Sequence, residues 1–399
     1  MMPFPAYIPV ALCSASRLGC GIGLLALMGL GVRPVAAAPL TRIAEIRTLA
    51  RTAANEGMPV KVRGVVTWPM GASSMTIQDE SGGIWVDLAL ARNRQLWRSD
   101  DAIFGKIRVG SELEIDGRVY LGGYAPTLLP ESLRILGVKP LPVPAPMDPP
   151  RFFSGAEDGE FVEAGGVVQR VMPSAGGDFI LSIDANPGVF TVRIFNLGTV
   201  TPGALVDAEV RVIGVATTRF NTRGETTGVR ITANLPDSLR VVKPAPLPEA
   251  VPSVTLDCLL PFSPEARGPH RVRVAGTVTY TLPGKFLYLQ EGNYAVRVET
   301  TSTLALKPGD RVEVDGFVIL DRCLGMLGEA SIRMIGVGRA PEAVAITPVE
   351  IFAAHQAATQ NARSRFSRDY DGQLIRCRAR LLAVESGPDG NALRTLVLE

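Results

Sequence analysis

The sequence predicts an all-β protein built from tandem five-stranded Greek-key barrels with short connecting helices. Three observations lead to this prediction: a repeat of about 105 residues, alternating apolar and polar residues within each repeat, and an excess of turn-forming residues. The 399 residues include 41 Gly and 31 Pro, whereas 20% of the residues are charged. A charged fraction this ordinary, beside 46% hydrophobic residues, excludes a disordered or collagen-like chain.

The first strand of each repeat carries a small residue at its centre. Aligning Gly64, Gly166, Gly276 and Ala379 gives spacings of 102, 110 and 103 residues. The flanking residues alternate in the period-2 pattern of a half-buried strand, and a glycine in mid-strand marks a sharp bend. Five short strands with a bent first strand favour an OB-like barrel over a β-sandwich, which needs about seven strands.

The other strands recur in the same order in three repeats. In the first repeat a hairpin covers 75–86, an alternating strand covers 109–117, and a closing strand covers 131–137. Glycine and asparagine at the hairpin tips supply the positive φ angles that tight turns need. We therefore expect each unit to be one antiparallel five-stranded sheet.

Pro-rich segments separate the repeats, and a helical segment precedes three of them. The Pro-rich segments are 139–146 and 243–248, and Thr347 with Glu350 forms a capping box at the start of the last helix. We expect similar helices over 41–54 and 254–260. The predicted organisation is a signal peptide at 1–37, OB-like repeats at 38–138, 151–243 and 254–340, and a helix with the start of a truncated fourth repeat at 346–399.

The N-terminal segment has the pattern of a secretory signal. An apolar run of 14 residues at 19–32 is too short to span a bilayer, and small residues around Ala37 suit a signal peptidase. This segment holds two arginines and no acidic residue, so the mature chain has 39 basic and 39 acidic residues. A neutral chain argues against a dedicated nucleic-acid binder. Among the remaining cysteines, we expect Cys377 to be buried in a strand, and a Cys258–Cys323 bridge stays open.

The candidate ligand-binding residues lie where OB barrels bind, on the second and third strands and the neighbouring loops. Aromatic rings there can stack on a sugar, a base or an apolar ligand, and arginines in a loop of repeat 2 can meet an anion. The alternatives are that the rings pack against the adjoining unit and that the loop is a polar hairpin tip. These candidates are Trp68, Trp85, Tyr124, Arg219, Asn221, Arg223, Tyr280 and Tyr288.

No pattern in the sequence indicates a catalytic or metal site. The two histidines, His270 and His355, belong to different units. Acidic residues at 112, 114 and 116 alternate along one strand, which predicts a solvated face. Asp79 could bind a cation, but we favour hydrogen bonds to the amides of its own turn. We predict no catalytic residue, no metal and no cofactor in these residues, and whether the parent protein is an enzyme stays open.

The runs 65–67, 77–86 and 110–117 resemble the exported OB-like repeats at the front of bacterial transmembrane sensor histidine kinases. The resemblance implies a sensory region on the periplasmic side of the inner membrane, whose partner is a small molecule or an envelope protein and not a nucleic acid. Because the fourth repeat stops at Glu399, we expect a fragment whose membrane span and kinase follow that residue.

Two other functions fit the same sequence. One is a secreted nucleic-acid-binding OB module that accompanies an extracellular nuclease. The other is a carbohydrate-binding or adaptor protein of the cell envelope.

Overall fold

A computed structural model of the chain describes residues 38–50, 52, 55–185, 188–259, 269–321, 324–350, 370–386 and 394–398. The predicted signal peptide, His355 and Cys323 lie outside these residues. Within the described ranges, no helix is long and apolar enough to cross a membrane. The fold is all-β, with tandem OB-like barrels joined by short helices.

Barrel 1 is a closed five-stranded barrel with the strand order β1-β2-β3-β5-β4. Its core is filled by inward-facing aliphatic side chains such as Val62, Ile77 and Ile115. Its elements are α1 (Ile43–Arg47), β1 (Pro59–Met70), β2 (Ser74–Asp79), β3 (Gly82–Asp87), α2 (Leu88–Asn93), a 3-10 turn (Asp101–Lys106), β4 (Ser111–Tyr120) and β5 (Thr127–Val138).

Barrel 2 repeats this order as β7-β8-β9-β11-β10, and β10 also pairs with β7 to close the ring. Its closing strand is divided, and β10 pairs with both parts. Its elements are β6 (Ala145–Pro146), α3 (Pro149–Phe153), β7 (Phe161–Pro173), β8 (Phe179–Asp184), β9 (Val189–Ile194), α4 (Pro202–Leu205), β10 (Glu209–Phe220), β11 (Thr226–Ala233) and β12 (Leu239–Lys243).

Barrel 3 is again closed, in the order β13-β14-β15-β17-β16, and the start of a fourth unit follows it. The elements of barrel 3 are two 3-10 turns (Pro248–Ala250 and Leu256–Cys258), β13 (Val272–Leu282), β14 (Phe286–Glu291), β15 (Tyr294–Glu299), β16 (Asp310–Asp321) and β17 (Leu324–Val337). The fourth unit contributes β18 (Val344–Ala345), β19 (Ile375–Arg376), β20 (Leu381–Ser386) and β21 (Arg394–Leu398).

Two expectations about these elements need correction. Each barrel is not wholly antiparallel, because the third strand pairs in parallel with the closing strand, as Val86 does with Leu128. The connection through α2 carries the chain from β3 to β4, which pairs with β1, so that β5, antiparallel to β4, runs parallel to β3. The predicted helix at 41–54 is also wrong in length, since α1 ends at Arg47.

The expected solvated face on β4 is instead a row of ion pairs. Glu114 is only 6% exposed and lies between Arg63 of β1, at 2.7 Å, and Arg134 of β5, at 2.6 Å. The hydrogen bond from Arg63 lowers the pKa of the Glu114 carboxyl, and Arg134 lowers it further. The prediction that this glutamate is solvated is therefore wrong, because alternation along one strand does not show which charges stand on the neighbouring strands.

The four units share one design at the first strand. Two residues beyond the aligned small residue, the pairing of this strand with the next is shifted by a β-bulge, which bends the strand as a small barrel requires. A short segment before each barrel also pairs in parallel with its first strand. The bulges lie at Val66/Trp68, Val168/Arg170, Val278/Tyr280 and Leu381/Ala383, and the parallel pairs are Leu40–Val60, Ala145–Val162, Ser253–Arg273 and Val344–Ile375. The tandem repeat is thus confirmed.

The helical segment before the fourth unit begins as predicted. The Glu350 carboxylate accepts hydrogen bonds from the backbone amide and the hydroxyl of Thr347, at 2.7 and 2.9 Å, and the hydroxyl accepts one from the Glu350 amide. The capping box is therefore confirmed. Cys377 is only half-buried, which differs from the expectation of a buried residue, and Cys258 is exposed.

The same side chain joins unit 1 to unit 2 and unit 3 to unit 4. Gln78 Oε1 accepts a hydrogen bond from the amide of Phe161 at 2.8 Å, and Gln290 Oε1 accepts one from the amide of Leu374 at 2.9 Å. Both glutamines end the second strand of their barrel, and both amides begin the next unit. Barrels 2 and 3 meet differently, through a hydrogen bond between His270 Nδ1 and Asp207 Oδ1 at 2.8 Å and an ion pair of Arg170 with Glu329.

Glycine allows the segment that enters barrel 2 to lie directly on barrel 1. Gly159 adopts a φ of +82°, in the left-handed region that favours glycine. A Cβ atom at Gly83 of β3 would stand 2.2 Å from the Gly159 carbonyl oxygen. At the equivalent position of barrel 3 the residue is Ala295, which like Gly83 pairs with the glutamine. Close backbone contact therefore seats barrel 2 on barrel 1.

We expect Gly83→Ala to lower the free energy of unfolding by about 1–3 kcal/mol, because its methyl group must push the Gly159 backbone away. Gly105→Ala is the matched control, since a Cβ atom there has no neighbour within 4 Å, and it should change stability by less than about 0.5 kcal/mol. Urea unfolding followed by tryptophan fluorescence measures both. Equal effects of the two substitutions would contradict this account of the junction.

Candidate ligand-binding cavity between barrels 1 and 2

Barrels 1 and 2 together enclose a cavity of about 230 Å³. Barrel 1 contributes the start of β2, the end of β3 and the connection from β4 to β5. Barrel 2 contributes its entry segment and the end of β10. The lining residues are Ser74, Trp85, Val86, Asp87, Tyr120, Gly122, Gly123, Tyr124, Ala125, Thr127, Asp158, Thr218 and Phe220.

Four aromatic rings form the walls. Trp85, Tyr120 and Tyr124 come from barrel 1, and Phe220 comes from barrel 2. Tyr124 stacks on Phe220 with ring centroids 6.2 Å apart and an angle of 16° between the rings. The Tyr124 hydroxyl donates a hydrogen bond to the Ser154 carbonyl, so this ring is held by barrel 2 at two points. The walls of the cavity thus depend on how the two barrels pack.

A buried carboxylate lies in this cavity. Asp158 is 8% exposed, and its Oδ1 accepts a hydrogen bond from the Thr218 amide at 2.7 Å. Burial raises the pKa of the Asp158 carboxyl, while the Thr218 amide, the Arg47 guanidinium and the Trp85 indole act in the opposite direction. Burial of Tyr124 and the charge of Asp158 raise the pKa of the Tyr124 phenol. The site therefore combines negative charge with low solvation.

Arg47 holds the backbone around Asp158 in place. Its guanidinium donates hydrogen bonds to the carbonyl oxygens of Gly83, at 2.7 Å, of Ala156, at 2.5 Å, and of Asp158. It also forms an ion pair with Glu160 at 3.5 Å. Because Arg47 belongs to α1 of unit 1, one side chain fixes the entry segment of barrel 2 against barrel 1.

The charge of the cavity lining is negative. Asp87 and Asp158 are the ionisable acids, and the thirteen lining residues include no Lys, Arg or His. Asp87 also caps α2, since its Oδ1 accepts a hydrogen bond from the Leu90 amide at 2.8 Å. Aromatic walls beside carboxylates can attract a cation, and the lining residues themselves carry no positive charge that would neutralise an anion.

The predicted site residues of repeat 1 separate into two environments. Trp85 and Tyr124 line the cavity, whereas Trp68 is 6% exposed and packs on Phe161 and Val215 of barrel 2. Trp68 contacts Trp85 edge-on, with ring centroids 5.6 Å apart. Trp68 thus lies in the junction between barrels 1 and 2. This is the position expected if such a ring packs against the adjoining unit instead of binding a ligand.

The loop of repeat 2 has a structural organisation of its own. Asn221 Oδ1 accepts hydrogen bonds from the amides of Arg223, at 2.9 Å, and Glu225, at 3.1 Å, and its Nδ2 donates to the Glu225 carboxylate. Arg219 and Arg223 are exposed. Asn221 therefore shapes a hairpin tip, and the residue of this loop that reaches the cavity is Phe220, which is 50% exposed.

The candidates in repeat 3 form a separate aromatic group on the outer face of barrel 3. Tyr280 stacks on Phe286 at 6.0 Å, Tyr288 meets Phe286 edge-on at 5.9 Å, and the Arg297 guanidinium lies over the Phe286 ring at 4.6 Å. Tyr280 occupies the same bulge position as Trp68, yet it is 46% exposed. The structure does not bring these residues near the cavity between barrels 1 and 2.

The sequence prediction missed several cavity residues, among them Asp87, Tyr120, Asp158, Thr218 and Phe220. Asp158 precedes the glycine that leads into β7, and Asp371-Gly372 stands at the equivalent point of the fourth unit, so this repeat was a visible signal. Phe220 stands between two predicted residues, but nothing in its local pattern distinguishes a ring facing the next barrel from a ring facing solvent.

The structure also decides the role of Asp79. Its carboxylate accepts hydrogen bonds from the amides of Ser81, at 2.6 Å, and Gly82, at 3.0 Å, as well as from the first amide of α1, at Ile43. The favoured interpretation, hydrogen bonds to turn amides, is confirmed. Within the described ranges, no group of three His, Cys, Asp or Glu side chains could hold a metal ion.

Comparisons with known proteins found similarity in solved structures alone. No protein family and no curated protein matches the chain. Among solved structures, a murine DNA-binding protein with bound double-stranded DNA is 10% identical over 45% of this chain and 98% of its own, with a TM-score of 0.20. The hypothetical protein ygiW from E. coli is 16% identical over 21% of this chain and 89% of its own, with a TM-score of 0.17.

Aspartyl tRNA synthetase from Entamoeba histolytica is 9% identical over 45% of this chain and 51% of its own, with a TM-score of 0.20. Similarities with TM-scores this low carry no inference about what this chain does. The OB assignment follows from the strand order and the closed five-stranded barrels.

Trp68 and Tyr280 provide a matched pair, because they share one position in barrels 1 and 3. We expect Trp68→Ala to lower the free energy of unfolding by about 3–5 kcal/mol, since it empties a buried site between two barrels. Tyr280→Ala should lower it by about 1 kcal/mol or less, since that ring is half in solvent. Urea unfolding of both variants tests the assignment, and a larger loss for Tyr280→Ala would refute it.

Asp158→Asn should stabilise the protein near neutral pH by about 1 kcal/mol, because the amide can still accept the Thr218 hydrogen bond without burying a charge. A raised carboxyl pKa means that the folded state holds this proton more tightly than the unfolded state. Protonated Asp158 therefore contributes stability to the wild type below the ordinary Asp pKa. This contribution is lost as the pH rises through the raised pKa of the folded state.

The difference in unfolding free energy between Asp158→Asn and the wild type should therefore grow with rising pH and then level off. Urea unfolding of both proteins from about pH 4 to pH 8 measures this difference, and other titrating groups cancel in it. A difference that shrinks as pH rises would mean that the Arg47 guanidinium lowers the pKa of the Asp158 carboxyl by more than burial raises it.

Proposed function

We propose that this chain is the exported sensory region of a membrane-bound sensor histidine kinase. In this role it binds a small solute or a partner in the cell envelope, and binding changes how its barrels pack against each other. The observation that carries the proposal is the cavity whose walls come from both barrels, because a ligand there contacts each side of the junction at once.

The path from the cavity to the junction is short. Trp85 lines the cavity and touches Trp68, which fills the interface with Phe161 and Val215. Asp158 lines the cavity and immediately precedes Gly159, the residue that rests on β3. A ligand that moves Trp85 or Asp158 therefore acts on groups that hold barrel 2 against barrel 1.

Such a ligand changes the packing only by its differential affinity for two arrangements of the barrels. The junction suits this role, since it combines a few hydrogen bonds from Arg47 and Gln78 with a small apolar cluster. An interface of this kind within one chain permits relative motion of domains.

Export and the link to a kinase rest on the sequence. The signal-like segment at 1–37 supports a periplasmic location, and the resemblance of the first repeat to sensor-kinase repeats supports the signalling role. The equal numbers of basic and acidic residues in the mature chain favour this role over a nuclease accessory, because binding to phosphates depends on positive charge.

The chain contains three tryptophans, and each reports on a different place. Trp85 reports on the cavity, Trp68 on the junction, and Trp97, which stacks on Phe104 and packs against the core of barrel 1, on that barrel. With 5-fluorotryptophan in the mature chain, fluorine NMR can follow all three, each assigned by its Trp→Phe variant. We expect a bound solute to shift the Trp85 and Trp68 signals together and to leave Trp97 unchanged.

The solutes for this titration are representative cationic, anionic and neutral compounds, including sugars and oligonucleotides. If none of them shifts Trp68 and Trp85, the sensory role of this junction is refuted. A shift confined to oligonucleotides would support the nuclease-accessory alternative instead. Reading the gene beyond the codon for Glu399 tests the kinase assignment separately, and a nuclease domain there would overturn it.

A further inference from the structure

We infer that the cavity between barrels 1 and 2 binds a small organic ammonium cation. The inference rests on the proposed function and specifies the chemistry of its ligand. Four aromatic rings and two carboxylates line the cavity, and its thirteen lining residues include no cationic side chain.

The aromatic walls favour a cation with apolar groups around its charge. The negative faces of aromatic rings attract ammonium groups, and cages of several rings are the usual sites for methylated ammonium ions. Trp85, Tyr120, Tyr124 and Phe220 supply these rings from both barrels, and the Arg94 guanidinium covers one face of Tyr120, 4.6 Å from the ring centroid. Tyr124 and Phe220 are nearly parallel, which places two rings side by side along one wall.

The buried carboxylate of Asp158 provides the counter-charge. A buried charge needs a partner, and Arg47, whose charge lowers the pKa of this carboxyl, directs its described hydrogen bonds to backbone carbonyl oxygens and pairs with the Glu160 carboxylate. The Asp158 carboxylate accepts a hydrogen bond from the amide of Thr218, and the Trp85 indole and the Thr218 hydroxyl also favour its charged form, but all three groups are neutral. Positive charge in the cavity would therefore offset the burial of this acid.

The same lining argues against other ligand classes. An anion would meet Asp87 and Asp158 with no basic side chain among the lining residues to balance them. A metal ion would need more oxygen ligands than two carboxylates, one of which already caps α2, and aromatic walls do not supply them. The volume of about 230 Å³ lies below that of pockets for drug-sized molecules, so the ligand is small.

The degree of methylation of the ammonium group is the next question. Among the described residues, Thr218 Oγ1 is buried in the cavity wall beside the Asp158 carboxylate. A primary ammonium could donate to this oxygen, whereas a quaternary ammonium relies on the rings alone. Ethanolamine and choline separate these two cases.

The test titrates the mature chain, labelled with 5-fluorotryptophan, with choline, ethanolamine and 3,3-dimethylbutan-1-ol. The last compound has the shape of choline without its charge. We expect choline or ethanolamine to shift the Trp85 signal in a saturable way, and the neutral alcohol to bind at least about tenfold more weakly. Trp97 should not respond to any of them.

Two variants locate the site without removing the reporter. Asp158→Asn should weaken binding of the ammonium probe by at least about tenfold, and Phe220→Leu by about twofold to fivefold. Tyr280→Leu, in the aromatic group of barrel 3, is the matched control and should leave binding unchanged. Circular dichroism and the urea midpoint of each variant verify that its fold is intact.

The outcomes separate this inference from the proposed function. If neither ammonium probe shifts Trp85, or if the neutral alcohol binds as well as choline, the ammonium inference is overturned. A response of Trp85 and Trp68 to an anionic or neutral solute alone would overturn it while supporting the sensory role. A shift of Trp85 by choline without Trp68 would support the ammonium site and count against the sensory mechanism.

Discussion

The close contact between the backbone at Gly159 and strand β3 is the constraint on which the candidate site depends. It exists because Gly83 has no side chain and because Gly159 accepts a positive φ. Arg47 and Gln78 then bond the same segment from barrel 1. With the segment held there, Asp158 is buried beside Trp85, and the end of β10 brings Phe220 against Tyr124. Neither barrel alone contains this cavity.

The repeats show how one scaffold acquires different surfaces. Units 1 and 3 use equivalent glutamines to bond the first residue of the next unit, and all four units share one bulge. The residue after the bulge differs in its surroundings. In barrel 1 it is Trp68, covered by Val215 of β10, whereas in barrel 3 it is Tyr280, half in solvent within an open aromatic group. Equivalent positions are thus buried between two barrels in one unit and partly exposed to solvent in another.

A buried acid between two domains has an energetic consequence as well as a chemical one. Asp158 in its charged form is poorly solvated, so it opposes stability in the absence of a counter-charge. Proteins commonly tolerate such groups where binding requires them, and the cost is recovered when a ligand arrives. The buried carboxyl of Asp158, with its raised pKa, the aromatic walls and the junction thus belong to one site.

The sequence by itself determined the all-β class, the repeat, the bent first strand, the capping box at Thr347 and the hydrogen bonding of Asp79 within its turn. These features are local, since alternation, glycine positions and turn residues act within a few residues of the chain. Only the tertiary structure decided the parallel pairing of β3 with β5, the burial of Glu114 between two arginines, and the different fates of Trp68 and Trp85. Each of these depends on which residues from distant parts of the chain become neighbours, and barrel closure and the seating of barrel 2 on barrel 1 establish those neighbours.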